Sequence, residues 1–71
     1  MYAYTLLKET GAKFFVKYYN KLEQWLTLDV FDSVEENYSE ANKLARINAA
    51  KKLFELKLNT VALEFYRKEQ T

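Results

Sequence analysis

The chain has 71 residues, room for one domain, and a formal net charge of +1 with neither cysteine nor histidine. Disulfides and thiolate metal sites are therefore excluded. Hydrophobic residues make up 49% and aromatics 17%, enough apolar bulk for a packed core, while the absence of proline and the single glycine exclude the frequent turns of an all-β fold.

From Tyr4 the apolar residues Tyr4, Leu7, Gly11, Phe14, Tyr18, Leu22 and Trp25 recur at alternating intervals of three and four, one stripe of an α-helix. Phe15, Tyr19 and Leu26 widen the stripe to the face of a globular core helix. Gly11 lies on that stripe, where it permits either close packing or a break. One long helix over about 3–26 is the simpler expectation. A short acidic helix at about 29–37 follows, with Thr27 or Asp29 as its cap and Leu28, Phe31, Val34 and Tyr38 as its apolar positions. Asn37 is the expected left-handed stop. Ser39 then caps a helix at about 40–57 that carries two apolar stripes. One is Ile47, Ala50 and Phe54, with Leu44 at its edge; the other is Ala45, Ala49, Leu53 and Leu56. Apolar residues on two faces predict the central helix of the bundle. The last helix, at about 60–69, starts at an Asn59 cap, turns Val61, Ala62, Phe65 and Tyr66 inward, and ends on Arg67 and Lys68, which complement its dipole. The expected fold is all-α: a small single-domain bundle over 1–71, of three main helices and one short acidic one.

The charges fall in blocks of +3, −6 and +4 over residues 1–21, 22–40 and 41–71. In the simpler expectation the acidic middle offsets its basic neighbours within the fold; the sharper one is an acidic face for a basic partner, or basic faces for nucleic acid. Met1 precedes no basic export region, Lys8 interrupts the early apolar run, and no stretch approaches the roughly 20 apolar residues that span a bilayer. A cytoplasmic protein with no membrane contact is expected. Abundant Lys, Asn, Tyr and Phe accord with an AT-rich bacterial or phage genome, as a compositional association only.

Catalytic chemistry finds few parts here. There is no His, no Cys and no glycine-rich phosphate loop. Asp32, Glu35 and Glu36 lie about one helical turn apart, as a solvated acidic face would. Asp29 with these three lacks the alternate spacing and mid-loop glycine of a calcium loop. The expectation is no enzyme, no cofactor and no metal site.

The stretch AAKKLFELKLNTVALEFY reads as helix, turn, helix. A DNA-reading helix-turn-helix over 47–68 would present Lys57, Thr60, Arg67 and Lys68 to nucleic acid, but Lys57 replaces the turn glycine and Glu64 would meet phosphates. An ordinary αα-hairpin is the simpler expectation. Tyr2, Val16, Tyr19 and Leu63 fall off the stripes or at their edges. Leu63 is expected opposite the inner face of the last helix, so Tyr19, Leu63 and Tyr66 are the candidate partner-binding residues. The leading functional expectation is a protein-interaction or self-association module, regulatory or accessory, with a protein partner or a homodimer. The alternative is a DNA-binding regulator built on the 47–68 hairpin.

Overall fold

The computed structural model describes the backbone of residues 2–70 and the side chains of residues 3–68. Among the described residues there are six helices and no strand: α1 (Tyr2–Thr10), α2 (Ala12–Lys17), α3 (Tyr19–Gln24), α4 (Thr27–Ser33), α5 (Glu40–Glu55) and α6 (Asn59–Gln70). The fold is all-α, as its periodicities predict.

The single helix expected over 3–26 is instead three. Gly11 turns the chain with φ 91° and ψ 119°, a region that side-chain-bearing residues rarely enter. The backbone bonds survive the turn: Gly11 N–H donates to the Leu7 carbonyl at 2.8 Å, and Phe15 N–H to the Gly11 carbonyl at 2.9 Å. Gly11 also lies beneath Arg46, whose Nη1 a Cβ at this position would strike. Close approach and chain break thus coincide at one residue. The second interruption is milder. Tyr18 N–H donates to the Phe14 carbonyl at 3.1 Å and the Tyr18 carbonyl accepts from Leu22 N–H at 2.8 Å, so hydrogen bonds bridge the bend between α2 and α3 at Tyr18.

α5 is central, packed by α1, α3, α4 and α6. Its N-terminus is capped as expected, the Ser39 hydroxyl accepting from Asn42 N–H at 3.2 Å. Ile47, Ala50 and Leu53 are fully buried, together with Phe15, Leu22 and Val30 from α2, α3 and α4 and Ala62 from α6. Each large member of this set contributes roughly 1.5–3 kcal/mol by leaving water. Of the two stripes expected on α5, the outer positions Leu44, Ala45 and Leu56 are exposed.

α4 starts and stops earlier than expected. Leu26, not Thr27 or Asp29, occupies its N-cap position, with no side-chain cap bond. Beyond Ser33 the chain is drawn off the helix axis by Tyr18, whose hydroxyl accepts from Glu35 N–H at 2.9 Å and donates to Glu36 Oε1 at 2.6 Å. Residues 34–39 are therefore a pinned loop, and Asn37 has no left-handed backbone.

That conformation falls to Lys57, with φ 60°. Leu58 N–H donates to the Leu53 carbonyl at 2.8 Å and Lys57 N–H to the Phe54 carbonyl at 3.0 Å, the paired bonds of a Schellman stop. The Leu58 carbonyl then takes the first bond of α6, from Ala62 N–H at 2.9 Å. Asn59 does not act as the expected cap; its Nδ2 donates to the Tyr19 hydroxyl at 2.7 Å.

Candidate functional site

That Asn59–Tyr19 bond ties the start of α6 to α3. Ala62 is fully buried, and Leu63 and Phe65 pack on the core. Val61 is the residue left exposed. Leu63 is thus turned inward, contrary to the sequence expectation, because the inner face of α6 is rotated toward Tyr19. Tyr19 is partly buried, its ring against Phe15 and Phe54 at centroid distances of 5.3 and 5.0 Å. Tyr66 is half-buried and Val16 likewise; the side chain of Tyr2 lies outside the described residues. Of the three candidate partner residues, Tyr19 and Leu63 are partly buried against the chain's own core and Tyr66 is half-buried.

Lys57, Thr60, Arg67 and Lys68 are all exposed. Lys57 and Thr60 sit at the start of α6, and Arg67 and Lys68 about two turns further along. Glu64 lies between the two pairs and meets Arg67 at 3.6 Å. The basic surface of the hairpin is thereby divided by a carboxylate.

The acidic residues are divided as well. Lys17 Nζ is 2.8 Å from Glu36 Oε2 and 3.5 Å from Glu35 Oε1. The Lys17 and Tyr18 hydrogen bonds hold the Glu36 carboxyl well below the usual carboxylate range, down to about 2, and the same carboxylate raises the Lys17 ammonium. Burial pushes the Tyr18 phenol up. These groups fasten the 34–39 loop to α2. Asp29 and Asp32 remain on the exposed face of α4. Among the described residues no group of three acidic side chains could hold a metal ion.

Among the described residues the most exposed large apolar side chains lie where periodicity did not place them. Trp25, Leu26 and Leu28, consecutive but for Thr27, are 43%, 76% and 72% exposed. Helix α3 ends at Gln24, and Trp25 and Leu26 are extended, with ψ of 155° at both. Two extended residues take the chain off the helical stripe and turn these side chains outward at the α3–α4 corner. The Lys51 ammonium donates to the Trp25 carbonyl and pins the corner to α5. The Lys21 ammonium lies 5.3 Å from the centre of the Trp25 ring, a cation–π contact. Gln24, Trp25, Leu26, Asp29 and Asp32 line an open groove of about 440 Å³ at this corner.

Leu26 is a costly residue at its position. A helix N-cap favours Ser, Thr, Asp or Asn, and an apolar residue there forgoes about 1 kcal/mol. The corner thus combines an uncapped helix start with two of the most exposed leucines in the structure. No spacing signal marked it, since Trp25 and Leu26 fit the stripe of the long helix and Leu28 the apolar positions of the next.

The fold defines a small all-α helical bundle. No protein family, curated protein or solved structure matches the chain. Among the described residues no helix is long and apolar enough to cross a membrane.

Proposed function

We propose that this chain is a non-enzymatic protein-interaction module that docks on its partner through the α3–α4 corner. One observation carries the reading: Trp25, Leu26 and Leu28 are all exposed at the α3–α4 corner, and Trp25 and Leu26 line an open groove there. A tryptophan flanked by leucines is the kind of anchor that dominates protein interfaces. Exposed apolar clusters in small proteins mark such surfaces, whereas single exposed residues do not. The uncapped start of α4 supports the reading further, since a residue that weakens the fold locally is retained where it serves contact. The chain has no His or Cys, and the Lys17–Tyr18–Glu36 group is spent on holding the 34–39 loop, which favours contact over catalysis.

The test uses the double variant L26S/L28S. Both positions are exposed, so the substitutions leave the core intact. The wild-type chain purified from its native cell is expected to carry a defined partner. That partner, itself purified, should rebind the wild-type chain at least tenfold more tightly than the double variant. Equal binding by a double variant that still melts cooperatively overturns the corner as the docking surface.

A further inference from the structure

We infer that the α3–α4 groove receives a segment that is both apolar and basic, an amphipathic stretch of another protein carrying Lys or Arg beside its apolar anchor. This rests on the docking reading above and names the chemistry of the partner. The charged lining of the groove is carboxylate alone: Asp29 and Asp32, beside Gln24, Trp25 and Leu26. Glu23, exposed in the last turn of α3, adds a third negative charge at the corner. Among the described residues none of these three carboxylates makes an ion pair; the acids that do are Glu35, Glu36 and Glu64. Lys21 and Lys51 are engaged with the Trp25 ring and the Trp25 carbonyl, Lys43 lies 5.0 Å from the centre of the Phe31 ring on α4, and none of the three lines the groove.

Asp32 is the more telling acid. It stands in the last turn of α4, a helix with no basic residue there to offset the dipole. It also repels Asp29 one turn away. A cation seated between the two relieves both penalties, and an apolar residue beside it covers Leu26. A second copy of the chain fits less well. A two-fold contact through this corner would bring Asp29 and Asp32 against their own counterparts, like charge on like.

Trp25 is the only tryptophan in the chain and lines the groove, so its fluorescence reports occupancy directly. Two tryptophan-free amphipathic helical peptides serve as probes, one of Lys, Leu and Ala and one with Glu in place of Lys, each titrated into the full chain at low salt. The Lys peptide is expected to bind one to one, shift the Trp25 emission, and exceed the Glu peptide at least tenfold in affinity. D29N/D32N should weaken it roughly 3- to 10-fold, the range of two solvent-exposed charge pairs. The control E55Q/E64Q, which alters exposed acids that do not line the groove, should not weaken it. Equal affinity for both peptides overturns the charge inference and leaves apolar docking standing. Loss in E55Q/E64Q equal to that in D29N/D32N overturns it as general charge attraction. Self-association of the free chain that hides Trp25 makes a second copy the occupant and overturns it. Binding of neither peptide, while the native complex still depends on Leu26 and Leu28, overturns the inference alone. Failure of the native complex itself removes the docking reading beneath it.

Discussion

Leu26→Ser should raise the stability of the protein while weakening its docking. Leu26 occupies the N-cap of α4 with no side-chain cap bond, and 76% of its surface is exposed. A serine there can accept from the N–H of Leu28 or Asp29, a gain of about 1 kcal/mol. What is lost is the quarter of the leucine surface that is covered. A fully buried leucine contributes roughly 1.5–3 kcal/mol, so that quarter is about 0.5 kcal/mol. The net gain is about 0.5 kcal/mol, or roughly 2–4 °C in Tm for a domain of this size. Leu26→Ala loses the same contact without gaining the cap, and should fall about 1 kcal/mol below the serine variant. Urea and thermal melts followed by circular dichroism read all three proteins, and binding of the purified partner reads the second half of the claim. A serine variant no more stable than the alanine variant would refute the capping argument. One that binds as tightly as wild type would refute the functional cost assigned to Leu26.

Gly11→Ala forces a side chain into φ 91° and displaces Arg46, which donates to the Thr10 carbonyl at 2.9 Å and lies 4.1 Å from the Tyr38 ring centre. A destabilisation of about 2–4 kcal/mol is expected in urea melts, and one below about 1 kcal/mol would mean that the turn relaxes freely. Lys57→Gly relieves the left-handed backbone at φ 60° and should stabilise by about 0.5–1 kcal/mol, with Lys57→Ala near neutral. A gain in the alanine variant as well would point to the lysine charge instead. Glu36 has a folded pKa of about 2 against an ordinary 4.5, so the folded state holds its proton less tightly than the unfolded chain. Its contribution is complete above about 4.5 and is lost as pH falls toward 2. The stability difference between wild type and Glu36→Gln should shrink across that window, and a difference independent of pH would detach Glu36 from the loop.

The helices were legible because their apolar spacings are regular. Leu7, Phe14, Tyr18 and Leu22 are buried as their stripe predicts, and Ser39 caps α5. What spacing could not convey is where a stripe is cut. Gly11 falls in register with its neighbours, and only its positive φ divides the helix. The end of α3 is hidden in the same way. Trp25 continues the periodicity by position yet is extended, so Trp25, Leu26 and Leu28, expected in the core, form the exposed corner. The converse error at Leu63 is one of long-range packing: α6 is tied to Tyr19 by Asn59, forty residues away, and Leu63 lies against the core. Candidate sites are the least legible feature of a chain like this one. Burial alone separates a core leucine from a docking leucine, and burial is set by where helices end.

The chain has no cysteine, so a single introduced thiol can be followed without background. Leu28→Cys places one on the corner, and Lys57→Cys places one on the exposed α5–α6 turn. Maleimide labelling rates, measured on the purified protein and again inside the native cell, compare the free and occupied states of each surface. The corner thiol should react quickly in the purified protein and at least several-fold more slowly in the cell, while the turn thiol reacts at similar rates in both. Equal rates at Leu28→Cys would contradict the docking corner, and protection of Lys57→Cys in its place would move the interface to the α5–α6 hairpin.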